Sequence, residues 1–229
     1  MARFARVVAV GEPHHLTQRG NNRQTTFLDD HDRRTYCRLL AEHSKRAGIQ
    51  VLGYCLMTNH VHLVAIPERA DSFARGLGRA HYLYTRWLHE RWGGNGHLWQ
   101  NRFFSCPLDR DHLWTALRYV DLNPLRAGLV EEAAAYEWSS ARAHVERQDP
   151  LGLLDGGLWG ELCRRQDWRE MLRPTRMEEA DAMVALWRAT MTGRPLGSDS
   201  FVKRLEGMFA RKLEPKRTGR PKKAFAAAG

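Results

Sequence analysis

The chain has 229 residues, 43% of them hydrophobic, which is enough to bury a core and excludes a wholly disordered polypeptide; the length suits one main domain with an appendage. Its net charge is +10, and +7 of that lies between Lys203 and Lys223, so the C-terminus is a basic arm suited to a polyanion, nucleic acid before membrane. No run reaches membrane-spanning length, and MARFARVVAVGEPHH is too polar and interrupted for a signal peptide, so a cytoplasmic protein is expected.

The opening residues alternate in polarity and end in HHLTQRG, a strand followed by the polar turn RGNNRQ. From His31 to Gly48 apolar residues recur at helical spacing, and the glycine is a natural stop. IQVLGYCLM and HVHLVAIP are two β-rich runs separated by Thr58 and Asn59, which predicts a hairpin. A long helix is expected from Asp71 to Trp92, ended by Gly93 and Gly94. LWQNRFFSCPL reads as extended, and DRDHLWTALRYVDLN as helical up to Pro124. Strand, helix, strand, strand, helix, strand, helix is the order of an α+β layer, an antiparallel sheet with packed helices. Beyond Arg142 the character changes to helices and loops. Residues 177–190 and 201–209 carry apolar stripes that predict a helical hairpin, and the closing EPKRTGRPKKAFAAAG is expected to be disordered. The expected organisation is therefore 1–142, 143–213 and a basic tail, 214–229. Cys37, Cys55, Cys106 and Cys163 form no CxxC pair, which points to reduced thiols rather than a disulfide or zinc framework.

Two stretches carry chemistry. In MTNHVHLVAIP the strand period puts His60 and His62 on the same face, about 6 to 7 Å apart, a spacing that suits one shared ion as well as two ordinary strand histidines. In LRYVDLNPLRAGLV, Tyr119 and Asn123 lie one helical turn apart. An amphipathic core tyrosine, and an asparagine N-cap before Pro124, account for that pair equally well at this level.

MTNHVHLV resembles the HUH motif of single-strand DNA nucleases, with Thr58 in place of the usual proline. HLTQRGNNRQTTF, LWQNRFFS and YVDLNPLRAGLV resemble the successive blocks of the single-tyrosine transposases, in the order found in REP-associated tyrosine transposases, and together the blocks cover positions 14 to 130. The resemblance implies a ferredoxin-like, RRM-like HUH nuclease core with a C-terminal helical hairpin and basic tail. It implies Tyr119 as nucleophile, and His60 and His62 with Asn123 as third ligand around Mg²⁺ or Mn²⁺. The partner it implies is single-stranded hairpin DNA of repetitive extragenic palindromes, in a bacterial, nucleoid-associated protein, with monomer and homodimer both open. Arg19, Asn21, Asn22 and Arg23 are expected at DNA phosphates and base edges, Trp99 and Arg102 at an unpaired base, and Arg220 in the tail's GRPKK, which is similar to an AT-hook core. A hairpin-binding protein that has lost its chemistry is the alternative, and a zinc hydrolase lacks a third ligand at suitable spacing.

Overall fold

The computed structural model describes residues 5–162, 167–173 and 178–214. Cys163, Arg220 and the tail from position 215 lie outside them, so the expectations for these positions concern sequence alone.

Four strands make one antiparallel sheet: β1 (His14–Arg19), β2 (Ile49–Met57), β3 (His60–Pro67) and β4 (Phe104–Pro107), in the order β2-β3-β1-β4. Helix α1 (Asp30–Ala47) connects β1 to β2, and α2 (Ser72–Trp92) connects β3 to β4. The β-α-β-β-α-β order with a β1–β3 centre is the ferredoxin-like arrangement. Local chemistry fixes both ends of α1. Asp29 and Asp32 close a reciprocal capping box at the start of α1, and Gly48 ends it in the left-handed region at φ 63°. The hairpin strands β2 and β3 form over the expected runs, whereas β1 and β4 are shorter than theirs, with pairing confined to His14–Arg19 and Phe104–Pro107.

Alternation sorts the strand side chains onto two faces. Leu16, Tyr54, Leu56, Val61 and Leu63 face α1 and α2, where they meet Tyr36, Phe73 and Tyr84. Leu52, Cys55, Val64 and Cys106 face the other way, toward α3 (Arg110–Asp121). A register shift between Val51 and Gly53 lets Leu52 join this second face.

After α3 the chain breaks at Leu122 (φ −83°, ψ −3°) and restarts as the single turn α4 (Asn123–Arg126). Asn123 is thus the first residue of the turn and Leu122 its cap, because Pro124 is accommodated only where no intrahelical N–H is needed. There follow α5 (Ala141–Glu146), α6 (Gly156–Leu162), α7 (Trp168–Met171), α8 (Glu178–Thr192) and α9 (Asp199–Phe209).

Packing runs through Arg142 without a break. Trp159, Trp168, Leu186 and Ala189 share the core under α3. The two C-terminal helices form, but not as a hairpin closed on those stripes: α8 lies on β4 and β1 through Leu186, Ala189 and Thr190 and leaves Val184 and Trp187 of its expected stripe exposed, whereas Phe201 and Leu205 of α9 pack with Val7, Ala9 and Leu213. Cys37, Cys55 and Cys106 are buried free thiols, and burial pushes Cys37 and Cys106 up to about 12. No helix of the described residues is long and apolar enough to cross a membrane.

Candidate active site

The antiparallel register sets Thr17 opposite His62 and Arg19 opposite His60. Directly paired residues point to the same face, so His15, Thr17 and Arg19 of β1 share a face with His60 and His62 of β3. The imidazoles of His60 and His62 stand edge to face with centroids 5.0 Å apart. Helix α3 crosses this face and carries Tyr119 to within 5.3 Å of the His62 ring centroid and 5.7 Å of the His15 centroid. The residues expected to assemble, His60, His62 and Tyr119, therefore do so within one chain. Asn123, one turn past the tyrosine, lies beside the Tyr119 hydroxyl, on which its amide exerts a weak pull, but its buried Nδ2 makes no well-formed hydrogen bond among the described residues.

The hydrogen bonds behind the histidines decide which nitrogens face the open side. His60 Nδ1 donates to Asn59 Oδ1 at 2.7 Å, and the Asn59 amide is oriented by its own donation to the Arg23 carbonyl at 2.9 Å. His62 Nδ1 is bonded to His15 Nε2 at 3.0 Å. Both Nδ1 atoms are thus engaged, and among the described residues neither Nε2 has a protein partner. Burial, and secondarily the positive charge of Arg19, holds His60 down near 4, and burial drives His62 well below its ordinary value. Both rings are neutral at neutral pH, which is the form that ligates a cation.

Burial raises the Tyr119 hydroxyl above its ordinary value, against the opposing pull of Arg126 and Arg19. The Arg126 guanidinium sits 4.7 Å over the Tyr119 ring and donates to the Tyr119 carbonyl. Two arginines, from β1 and from the α4 turn, thus make the surroundings of the tyrosine electropositive, as a site for a phosphate requires.

The RGNNR turn is built onto the histidine hairpin: Gly20 N–H donates to the Asn59 carbonyl at 2.8 Å and Thr26 N–H to the Thr58 carbonyl at 2.9 Å. Within it Asn22 and Arg23 hold positive φ values of 47° and 60°, a conformation tolerable to asparagine and strained for arginine. Arg19, Asn22 and Arg23 are exposed on this rim and Asn21 is half-buried. Arg102 is exposed just before β4. Trp99 bridges to Gly20 but turns its half-buried ring into the aromatic layer under α1 and α2, 4.9 Å from His81. Core packing thus takes most of Trp99.

Sequence reasoning missed His15, Asn59 and Thr190. A period-two reading of HHLTQR does put His15, Thr17 and Arg19 on one face, but only the β1–β3 register shows that it is the face of His60 and His62. It also missed a buried network below Tyr119. Asp121 accepts from Ser140 Oγ at 2.5 Å, His144 Nδ1 at 2.7 Å and Trp168 Nε1 at 2.8 Å, and His144 Nε2 donates to the Leu52 carbonyl at 2.7 Å. That network ties the end of α3 to the sheet and to the segment beyond residue 130.

Comparison with known proteins agrees with this architecture. Residues 13–123 match the family model described as transposase, IS200 like. Among solved structures the chain is similar to one described as the REP associates tyrosine transposase bound to a REP hairpin, with a TM-score of 0.56 and 18% identity over 66% of this chain and 90% of that chain. At that identity the likeness is one of fold. No curated protein matches. The matched segment begins just before β1 and ends at Asn123, so the part of the chain that is similar to the IS200-like transposases spans the whole sheet, both histidines and the tyrosine.

Proposed function

We propose that this protein is a metal-assisted enzyme that nicks and rejoins single-stranded DNA at REP-type hairpins through a 5′-phosphotyrosine on Tyr119. The observation that carries this reading is the juxtaposition, on one sheet face, of Tyr119 with two histidines whose Nε2 atoms are both unengaged. A buried core would leave neither nitrogen without a partner.

The donor set fits a divalent cation. Two neutral imidazole nitrogens with the Asn123 amide, waters and a phosphate oxygen suit Mn²⁺ or Mg²⁺, the nitrogens favouring manganese. The buried, unpartnered amide of Asn123 points the same way, because rotation of that amide offers an oxygen instead of the orphaned nitrogen. Among the described residues no group of three or more His, Cys, Asp or Glu is arranged to hold an ion, and the third protein donor is assigned to the Asn123 amide beside Tyr119. When bound, the cation would withdraw charge from the scissile phosphate and the leaving oxygen.

The chain's own groups account for the remaining steps. Arg19 and Arg126 attract the strand's phosphate and hold it against Tyr119. The Tyr119 oxygen attacks phosphorus and gives up its proton to water, an O–P bond forms, the bond to the 3′ oxygen breaks, and that oxygen leaves protonated as a 3′ hydroxyl. Because the phosphotyrosine is still a phosphodiester, a 3′ hydroxyl can attack it in turn and restore a continuous strand. One chain supplies both histidines and the tyrosine, so the reaction needs no partner's side chain. Arg19, Asn21, Asn22, Arg23 and Arg102 would hold the hairpin's backbone and flanking bases, with the exposed edge of Trp99 beside them. Arg220 and the basic tail would add sequence-independent affinity.

Labelled hairpin DNA incubated with the protein and Mn²⁺ and run on a denaturing gel tests this. A covalent protein–DNA band that maps to Tyr119 is expected. Retention of the hairpin without a covalent band would replace the enzyme with a hairpin-binding protein.

A further inference from the structure

We propose that Thr190 of α8, outside the family-matched segment, is a positioning residue for this site: acting through His15, it holds His62 in the tautomer that presents a bare Nε2 to the cation. The inference rests on the metal-assisted reading above.

One assignment of the protons satisfies every contact at once. Thr190 Oγ1 lies 2.8 Å from the Leu186 carbonyl, which can only accept, so the single hydroxyl proton goes there. His15 Nδ1 lies 2.7 Å from the same Oγ1 and must therefore donate to it; Cys106 Sγ, at 3.3 Å, is a second donor. With its proton on Nδ1, a neutral His15 offers a lone pair at Nε2. His62 Nδ1, 3.0 Å away, must donate to that lone pair, which leaves the lone pair of His62 on Nε2. The His15 and His62 rings are nearly parallel, 12° apart, with centroids at 5.2 Å, so the relay also fixes ring orientation.

Water cannot take over these roles, because Thr190, His15 and His62 are 1%, 2% and 6% exposed. Ligating histidines generally have the other ring nitrogen fixed by an acceptor, and that acceptor tunes metal affinity. His60 obtains its acceptor locally, from Asn59. His62 obtains it from His15, whose own acceptor lies 175 residues further along the sequence, in a helix of the C-terminal region. The region beyond the family segment is by this argument part of the active site's construction. Without the Thr190 oxygen, a proton on His15 Nδ1 would be buried with no acceptor. The proton moves to His15 Nε2, which donates to His62 Nδ1 and forces the His62 proton onto Nε2, where a cation would otherwise bind.

The test uses the full chain with ¹⁵N-labelled histidine, free of metal, at pH 7. Two-bond ¹H–¹⁵N correlation should show His62 protonated at Nδ1 in the wild type and at Nε2 in Thr190→Val. Mn²⁺ affinity, read by electron paramagnetic resonance, should fall about ten-fold or more in Thr190→Val. Thr190→Ser should restore both readouts, which a loss of packing alone would not predict. A wild-type His62 protonated at Nε2, or a Thr190→Val protein with unchanged His62 tautomer, overturns the proposal. Mn²⁺ binding that is equal in the wild type and in a His60→Ala, His62→Ala double variant would sink the metal reading instead, and the tautomer measurement would still decide the role of Thr190.

Discussion

The two faces of the sheet each bury histidines against a tyrosine, and they put them to opposite use. Under α1 and α2, the Tyr36 hydroxyl and His81 Nε2 are bonded to each other at 2.9 Å, within a cluster completed by Phe27, Tyr84 and Trp99. Under α3 and α8, His62 is bonded to His15, His15 to Thr190 and His60 to Asn59, while among the described residues the Nε2 atoms of His60 and His62 have no partner and the Tyr119 ring stands edge to face with His62 at 5.3 Å. The first face is an aromatic core whose polar atoms satisfy one another. The second has its partners placed behind the site. A buried histidine beside a tyrosine is therefore no functional signal in itself; what distinguishes the two faces is which atoms remain unsatisfied and whether a bound cation would satisfy them.

The comparison is most easily broken by removing the same atom from each face. Tyr119→Phe deletes only the oxygen proposed to attack and should abolish the covalent DNA adduct while leaving hairpin binding and fold intact. Tyr36→Phe deletes a satisfied hydroxyl and should leave adduct formation unchanged while lowering stability by about 1 kcal/mol. Denaturing gels and urea titrations of the two variants read both effects; an adduct retained by Tyr119→Phe would assign the wrong face. A parallel contrast holds for the histidines. Alanine at His60 or His62 should remove divalent-ion-dependent cleavage and spare hairpin binding, whereas His81→Gln should spare both. Cleavage surviving in His60→Ala would end its assignment as a ligand.

The α1/α2 face was almost wholly legible in the sequence. Its helices have amphipathic stripes, an aspartate cap and glycine stops, and its strands alternate, so local periodicity specifies both element and inward side. On the other face only His60, His62, Tyr119 and Asn123 stood out, and they did so by resemblance. His15 could not be placed there because its neighbours depend on the β1–β3 register, which no local pattern encodes. Thr190 is further out of reach, since an apolar stripe says that a helix face is buried without saying against what. The same limit shows in α8 and α9: α8 covers β4 with Leu186 and Ala189 while Val184 and Trp187 of its visible stripe face outward, and the α9 stripe covers Val7 and Ala9.

A smaller effect sharpens the comparison through the buried charges that hold each face in place. Asp121 and His144 are both fully buried, and the carboxylate is the shared acceptor for Ser140, His144 and Trp168 at the end of the helix that carries Tyr119. Asp121→Asn keeps the shape and leaves a donor where an anion accepted three bonds. Removal of one partner from a buried pair costs about 3 to 5 kcal/mol, so the urea midpoint should drop accordingly. A variant as stable as the wild type would mean that α3 is held by apolar packing alone.

The smallest expected effect separates the faces by pH. His81 is held near 3 by burial, against an ordinary value of 6.5, so it stays neutral in the folded protein when the unfolded chain takes up a proton. Its contribution is fully present above pH 6.5 and is lost as the pH falls toward 3, at about 1.4 kcal/mol per pH unit for this one group. Other buried histidines, such as His14 near 4, add their own slopes in the same direction. His81→Gln should therefore lower stability at pH 7.5 through the lost Tyr36 bond, yet flatten the decline between pH 6 and pH 4 by one proton's worth. Urea midpoints for the two proteins across that range should converge as the pH falls. Parallel curves would show that His81 takes up its proton in the folded state, and the aromatic face would then not be the sealed core that its hydrogen bonds describe.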